Sequence, residues 1–401
     1  MKFTFFFAAE GNPIADLDGS GQPCLRFLLY ITTTMHPKIK FTDHTHSMFF
    51  ATIRQRVDVY FRNNALSRHA NATMWLKAIF FLTGFGTLYG LILSDQFGIW
   101  VMLGMAVVLG MFAAFIGFNI SHDAIHGAFS ANNRINGFLS KTFHLLGANP
   151  YLWNITHNVV HHTYTNIPGH DEDIEIAPGL IRIDEEEQVN QMQRFQHVYA
   201  FFLYSLASLS WVFRKDYMKF FKARIGMRLN SHPRKEYFNL FFYKALYYFL
   251  FIGLPLLVLD IAWWQVLIGF TAMHLAEGII LGLVFQLAHV VEGTSFPVPD
   301  EQGSVEEAWA VHQMQTTANF APESRLASFL CGGLNRQIEH HLFPKVCHIH
   351  YPAVSAIVKK TAREFNLPYL ENRSFLSALQ SHYRMLRRLG KGAYRKTVVA
   401  A

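Results

Sequence analysis

The chain has 401 residues, of which 51% are hydrophobic, 15% aromatic and only 16% charged, and its formal net charge is +7. Because soluble domains are about 25% charged, this composition excludes a disordered chain and favours a membrane over nucleic acid as the partner of the positive charge. The three cysteines form no CxxC pair, so neither a disulfide scaffold nor a cysteine zinc site is predicted.

The N-terminal segment, residues 1–34, does not look like a secretory signal. It has no extended apolar run followed by a small-residue cleavage site. From Met35 onward the sequence has the character of an ordinary domain. We therefore predict that residues 1–34 are a non-native or disordered extension, that Met35 is the true start, and that residues 35–401 form one domain.

Four long apolar stretches follow, each near the roughly 20 residues that a helix needs to cross a bilayer. Connections as short as 95–97 and 260–261 join them into two pairs, which predicts two helical hairpins and places everything between the pairs on one side. The predicted transmembrane helices cover residues 75–94, 98–120, 240–259 and 262–284.

The distribution of charge predicts which side that is. The segment 214–235 between the hairpins is rich in Lys and Arg, whereas the two tight turns carry Asp95 and Asp260 and no basic residue. By the positive-inside rule, both termini and the central segment are expected in the cytoplasm. Lys77 and Lys244 lie near helix ends, where a long side chain can reach the interface.

The predicted fold is therefore an all-α integral membrane protein. Four transmembrane helices in two hairpins carry a cytoplasmic helical cap, and residues 352–365 and 374–388 are expected to form amphipathic helices of that cap. The cap is where we expect the chemistry of the protein to lie.

Histidine is the most unusual feature of the composition, with 21 copies. Several of them are spaced three or four residues apart, which places their side chains on one face of a helix. All of these groups lie on the predicted cytoplasmic side. In chain order they are His122 and His126, then His157, His161 and His162, then His289, and finally Gln337 with His340 and His341.

Eight imidazoles are too many for a single zinc ion, which takes four ligands. They suit a pair of transition ions that prefer nitrogen ligands, and imidazole is a normal ligand of iron. Copper remains open on ligand type alone. Asp123, beside His122, is a candidate acceptor that would fix an imidazole tautomer, with a surface carboxylate as the alternative.

The segments HDAIH, HNVVHH and QIEHH, which begin at His122, His157 and Gln337, resemble the three histidine boxes of the membrane fatty acid desaturases. The glutamine that opens the third box resembles the front-end branch, which acts between an existing double bond and the carboxyl end. The resemblance extends from about residue 50 to residue 370. It implies a non-haem di-iron centre that uses O2 to introduce a cis double bond into an acyl chain.

The resemblance also implies ligands and partners. The acyl chain would be carried on CoA or on a phospholipid, and Gln337 would approach the metals or orient a ligand. The implied iron ligands are His122, His126, His157, His161, His162, His340, His341 and His289.

The electron donor is expected to be a separate protein. Many front-end members begin with a fused cytochrome b5 domain marked by His-Pro-Gly-Gly, whereas this sequence has His36-Pro37-Lys38. A ferredoxin, or a cytochrome b5 with its reductase, is therefore the expected donor. The basic segment 214–235 is a candidate docking surface for an acidic donor, and binding of anionic lipid headgroups is the alternative.

Other polar residues receive weaker interpretations. His274 and Glu277, inside the fourth predicted helix, are expected either to line an acyl tunnel or to form a structural pair. The acidic segment 171–187 is predicted to be a solvated cap. Seven histidines without ligand-like spacing are interpreted as structural or surface residues, namely His144, His170, His197, His232, His312, His348 and His350.

The function predicted from the sequence is thus an O2-dependent acyl desaturase. A hydroxylase with the same metal architecture is the alternative within the enzymes. A membrane metal transporter is the alternative from another class, but a transporter would place its ligands at the middle of the membrane. The histidine groups here lie at predicted helix ends.

Overall fold

The computed structural model describes residues 39–42, 46–185, 187–225, 228–229 and 231–391, and these are mostly helical. The predicted extension, residues 1–34, and the predicted start at Met35 lie outside the described residues.

Four helices are long and apolar enough to cross a membrane, as predicted from hydropathy. The second and fourth end at Ile125 and His289, five residues past the predicted ends at 120 and 284. The sequence placed these ends too early because polar residues in the last turns were taken as the membrane boundary, whereas the structure buries them. The four spanning helices are Ala72–Leu93, Ile99–Ile125, Arg234–Val258 and Trp263–His289.

Small residues allow the spanning helices to pack closely, as is usual in membrane bundles. The second and fourth helices meet at Gly110, where a Cβ atom would lie 1.9 Å from the carbonyl oxygen of Met273. Gly278 brings the fourth helix close to the segment 196–210 as well, since a Cβ atom at Gly278 would lie 2.2 Å from the carbonyl oxygen of Ser205. The fourth helix is thus enclosed at its centre.

Among the described residues, π-helical turns interrupt the regular helices at four places. Gly117–Ser121 directly precedes the first histidine box, and Asn154–His161 contains most of the second. The other two are Trp211–Lys215 and Phe249–Gly253. The sequence predicted regular helix at three of these places and made no helix prediction at Trp211–Lys215. It did not reveal the π-turns, which are rare and occur frequently at functional sites.

The remaining helices are mostly short. The α-helices outside the four spans are Ser47–Asn63, Asn133–Leu139, Pro150–Trp153, His162–Tyr164, Gln196–Ser205, Ala207–Ser210, Asp216–Phe221, Trp309–Thr316, Arg325–Leu330, Gln337–Leu342, Tyr351–Glu364 and Phe375–Leu389. Single 3-10 segments are Ser140–Leu146, Gln193–Phe195 and His348–His350.

Three pairs of two-residue strands depart from the all-α prediction. Such short pairs tie loops together and leave no periodic signal in the sequence. Two are parallel and the middle one is antiparallel, and they pair Lys40–Phe41 with Ser304–Val305, Arg224–Ile225 with Arg228–Leu229, and Asn319–Phe320 with Glu371–Asn372.

The two predicted amphipathic helices near the C-terminus are present. Tyr351–Glu364 packs its apolar face against the helix Ser47–Asn63, and Phe375–Leu389 packs against the fourth spanning helix and the segment 196–205. Ser374 caps the second of them by accepting a hydrogen bond from the backbone N–H of Ser377 (3.0 Å).

Lys244 does not reach the membrane interface, contrary to the prediction. It is buried in the third spanning helix, where its Nζ lies 2.9 Å from Oδ2 of Asp216 and donates to the carbonyl oxygen of Gly147 (2.6 Å). Asp216 also accepts a hydrogen bond from the backbone N–H of Asn149 (2.9 Å). A buried charge persists only when it is paired in this way, and the pair joins the third spanning helix to the segment that leads into the second histidine box.

Candidate metal centre

The imidazoles of the three histidine boxes converge where the second and fourth spanning helices end. In what we call the first cluster, four ligand nitrogens lie within 4.8 Å of one another, one each from His122, His126, His157 and His340. In the second cluster, three nitrogens meet the same condition, from His161, His289 and His341.

His162 lies between the two clusters. One of its ring nitrogens is within 4.8 Å of nitrogens of both His340 and His341. Its ring centroid lies 4.6 Å from that of His340 and 4.4 Å from that of His341. The structure therefore brings together all eight histidines that the sequence singled out, and all eight are buried.

Each cluster draws on several elements. The end of the second spanning helix supplies the first box, the π-helix Asn154–His161 supplies most of the second, and the last residue of the fourth spanning helix is His289. The third box lies on the short helix Gln337–Leu342. Glu339 fixes that helix from its other face, since it accepts hydrogen bonds from Tyr369 (2.7 Å) and from Asn319 (2.9 Å).

Two carboxylates of the acidic segment orient the second box. Oδ2 of Asp171 lies 2.8 Å from Nδ1 of His161, and Oδ2 of Asp173 lies 3.0 Å from Nδ1 of His157. Asp171 is fully buried and also accepts a hydrogen bond from the backbone N–H of Asn166 (2.9 Å). The prediction of a solvated cap is therefore wrong for these two residues, which sequence reasoning missed because a loop, with no periodicity, brings them to the histidines.

The third box has Nδ1 partners as well. Nδ1 of His341 lies 2.7 Å from Oε1 of Gln313, which also accepts a hydrogen bond from the hydroxyl of Thr165 (2.8 Å). Nδ1 of His340 lies 3.1 Å from the hydroxyl of Tyr351. An oxygen at Nδ1 fixes the orientation of an imidazole and leaves Nε2 as the atom that can bind a metal.

Asp123 has a different partner from the one predicted. Its Oδ2 lies 2.8 Å from Nδ1 of His348, whereas Nδ1 of His122 is 3.6 Å from Oδ1, beyond hydrogen-bond distance. Nε2 of His348 in turn lies 3.1 Å from Nζ of Lys77. Lys77 is therefore buried in this chain of contacts and does not extend to the interface as expected. His348, interpreted from the sequence as a structural or surface residue, is buried and offers a nitrogen within 4.8 Å of ligand atoms of Asp123 and Cys347.

The Nε2 atoms of the clusters are the observation that most strongly supports a metal centre here. Six buried Nε2 atoms of the cluster histidines have no hydrogen-bond partner among the described residues, and burying a polar atom unsatisfied costs about 1–3 kcal/mol. A bound transition ion would satisfy them, so the residues fit the metal pair. The six atoms belong to His122, His126, His157, His161, His162 and His340.

The protonation state of these imidazoles agrees with metal binding. Burial, followed by repulsion between neighbouring imidazoles, holds the pKa of His126, His157, His162, His340 and His341 well below the usual range. They are neutral near pH 7, and a neutral imidazole has a free lone pair for a metal.

His161 differs from these five histidines. Burial lowers its pKa, but the adjacent Asp171 carboxylate outweighs that effect by charge and hydrogen bonding, so the pKa of His161 is raised. The same carboxylate would make the His161 nitrogen a more basic ligand once a metal displaces the proton.

Gln337 lies against the second cluster. Its Nε2 is 3.0 Å from Nε2 of His289 and 3.3 Å from Nε2 of His341, and its Oε1 has no hydrogen-bond partner among the described residues. The side chain is buried. The amide therefore lies within reach of whatever these two nitrogens bind.

His274 and Glu277 form a pair inside the fourth spanning helix, with Nδ1 3.3 Å from Oε2. His274 also contacts the hydroxyls of Ser208 (2.7 Å at Nδ1) and Tyr247 (3.0 Å at Nε2). These contacts join three helical segments, which fits the structural alternative. Neither residue belongs to the clusters of ligand nitrogens found in the described residues.

Comparison with known proteins shows which family the chain belongs to. A model of the family described as fatty acid desaturase matches residues 98–373. The chain is 36% identical over 358 residues to a sn-1 linoleoyl-lipid 6-desaturase of Synechocystis sp., which covers 89% of this chain and 99% of that protein. It is 34% identical over 359 residues to an acyl-lipid (8-3)-desaturase of Physcomitrium patens, covering 89% and 75% of the two chains.

A fungal protein is similar at the same level. The acyl-lipid (8-3)-desaturase of Mortierella alpina is 32% identical over 357 residues, which cover 86% of this chain and 78% of that one. The matched family segment includes all three histidine boxes and His289.

Asp171→Asn is expected to weaken metal binding about 10–100-fold, the usual cost of losing an oxygen partner behind a ligating histidine. The amide keeps the shape of the side chain but removes the charge that orients His161. Iron retained by the purified protein against a graded chelator measures the effect. Glu364→Gln is the matched control, because Glu364 pairs with Arg56, outside the clusters. Equal retention by the two variants would show that Asp171 does not support a ligand.

Proposed function

Because the chain belongs to the fatty acid desaturase family, and is therefore an oxidoreductase of membranes, we propose that it uses O2 and a di-iron centre to desaturate a lipid-linked acyl chain. The observation that carries this proposal is the pair of buried imidazole clusters with unpartnered Nε2 atoms. The resemblance of the QIEHH box to the front-end branch agrees with relatives named as 6-desaturase and (8-3)-desaturase. The new double bond would accordingly form on the carboxyl side of an existing one.

One iron would be held by each cluster. The first cluster offers four nitrogens to one ion, and the second offers three to the other, with His162 placed to serve either side. When bound, the two ions would supply the chemistry that activates O2 for removal of hydrogen from an unactivated acyl chain. Asp171, Asp173, Gln313 and the Tyr351 hydroxyl hold the rings in place. Asp123, next to His122 in the chain and hydrogen-bonded to His348, is a positioning residue.

The overall reaction needs an external source of electrons. Two adjacent CH2 groups lose one hydrogen each and become CH=CH, while O2 takes up those two hydrogens together with two electrons and two protons and leaves as two waters. A separate donor, a ferredoxin or a cytochrome b5 with its reductase, would supply the two electrons. The chain itself supplies the geometry and the dry surroundings.

A small, mainly apolar cavity of about 60 Å³, which Asp173 and Lys215 also line, adjoins the first cluster and is the place where a segment of the acyl chain would lie. The Trp153 ring forms one wall and stacks on His157 with ring centroids 4.0 Å apart. Gly282 and Phe285 of the fourth spanning helix form the opposite wall. Gly282 itself lies against Tyr204, where an added Cβ atom would come within 2.7 Å of the Tyr204 side chain. The rest of the wall is mostly apolar, which would limit the access of water to the reacting carbons.

Product analysis tests the proposal directly. We expect a host that expresses the chain with a compatible reductant to accumulate a new polyunsaturated acid, detected as its methyl ester. His161→Ala should abolish the product and lose iron, because it removes a nitrogen of the second cluster. His197→Ala should do neither, since His197 lies against the Tyr383 ring, outside both clusters. Hydroxylated products without a new alkene would instead identify the hydroxylase alternative.

Gln337→Ala is expected to reduce turnover about 10–100-fold while iron stays bound, because the amide contacts two ligating histidines without being required to hold the metal. Gln337→His should also retain iron, with partial to near-normal activity. Gln315→Ala removes an amide that bonds Glu307 outside the clusters and serves as the control. Full turnover in Gln337→Ala would show that this glutamine contributes only to packing.

The proposed topology puts both termini and the metal centre in the cytoplasm. Cysteines introduced at Gln96 and Ile261, in the two tight turns, should react with a membrane-impermeant reagent from outside intact cells. A cysteine at Asn190 should react only after the cells are opened, because the turns are too short to hide a further crossing. Labelling of Asn190 from outside would contradict a shared side for the three boxes.

A further inference from the structure

A polar cleft of about 730 Å³ opens beside the first cluster. Its walls come from the loop after the second spanning helix, from the segment that leads into the second box, and from the start of the third spanning helix. His126 lies on its inner wall and is the cluster residue that the cleft reaches. Its volume is that of a small-molecule site, which typically measures about 300–1,000 Å³.

The charge of the cleft is one-sided. Lys141, Lys235 and Lys345 line it, all three are exposed, and none of them forms a salt bridge with a described residue. Glu236 is the one acid among the described lining residues, and its carboxylate already accepts a hydrogen bond from Asn239 (3.1 Å). The cleft therefore has a surplus of positive charge that an anion would neutralise.

The cleft also lies at the ends of two spanning helices. It includes Ile125, the last residue of the second spanning helix, and Lys235, the second residue of the third. In a chain that crosses a bilayer, the ends of the spanning helices lie at the layer of polar headgroups. A membrane lipid can thus present its headgroup to the cleft without leaving the bilayer.

The cleft and the apolar cavity lie on two sides of the first cluster. His126, on the cleft wall, has its ring centroid 5.9 Å from that of Trp153, and Trp153 is a wall of the 60 Å³ cavity. A lipid with its head in the cleft would place the carboxyl end of its acyl chain near His126. The chain would then continue past the imidazoles toward Phe285.

We propose that this cleft binds the phosphate of a glycerolipid headgroup and thereby holds the acyl substrate by its carboxyl end. The inference rests on the desaturase function proposed above and names the carrier of its substrate. Lysine ammonium groups bind phosphate as point charges, whereas an uncharged glycolipid head would leave the three lysines without a partner. A concave site of this size fits one headgroup better than the convex surface of a donor protein.

The arrangement explains how the position of a double bond can be counted from the carboxyl end. The headgroup fixes one end of the substrate in the cleft, and the clusters stand at a fixed distance from it. The methyl end is then free to vary in length beyond the cavity. Removing the lysines should therefore raise the KM for a phospholipid substrate more than it lowers kcat.

The test is equilibrium binding to the full-length, iron-loaded protein in nonionic detergent. The fluorescence anisotropy of a lipid with a labelled acyl tail reports the binding. Three probes are used: phosphatidylglycerol, the neutral monogalactosyldiacylglycerol, and an acyl-CoA. Lys141→Gln, Lys235→Gln and Lys345→Gln should each weaken phosphatidylglycerol binding about fivefold, as expected for the loss of one basic residue at a lipid surface. Lys360 is exposed and does not line the cleft, so Lys360→Gln should leave phosphatidylglycerol binding unchanged.

Several results would overturn the proposal. Parent-like phosphatidylglycerol binding by the triple variant would do so, as would a lysine dependence seen for the acyl-CoA alone. Slower reduction by an acidic ferredoxin, with lipid affinity intact, would assign the lysines to donor docking instead. Lysine-dependent phospholipid binding in a protein that forms no alkene would support the headgroup site and count against the desaturase function, so the two claims fail separately.

Discussion

The structure depends on the burial of eight imidazoles in one place. Each brings a polar Nε2 atom into an environment without water, and most of these atoms find no hydrogen-bond partner among the described residues. Such a group of unsatisfied atoms is unfavourable unless something else binds them. Metal ions that prefer nitrogen ligands would satisfy these atoms, and this is the site that we propose.

The supporting elements follow from that constraint. π-helical turns before His122 and around His157 aim the first two boxes into the same space, and the fourth spanning helix adds His289 from its last turn. Oxygen atoms that lie within hydrogen-bond distance of Nδ1 fix the tautomer of the imidazoles. The buried Asp171 provides such an oxygen for His161. A small, mainly apolar cavity lies beside the Trp153 ring that stacks on His157, and the proposed function assigns a segment of the acyl chain to it.

Much of this could be predicted from the sequence, because it rests on periodicity and spacing. Hydropathy located the four spanning helices, and the i, i+4 pair His122 and His126 marked the first box. Asp171 and Gln313 could not be found in this way, since a loop brings Asp171, and the separate helix Trp309–Thr316 brings Gln313, to histidines with which they share no helical spacing. The buried Lys244 was misread for a related reason: its partner Asp216 lies in another segment.

The central claim is that two iron ions lie in the two imidazole clusters. An anomalous difference map recorded at the iron absorption edge, from crystals of the iron-loaded protein, tests it most directly. The account predicts two peaks per chain, one among the Nε2 atoms of the first cluster and one beside His161, His289 and His341. A single peak, or iron bound away from these nitrogens, would contradict it.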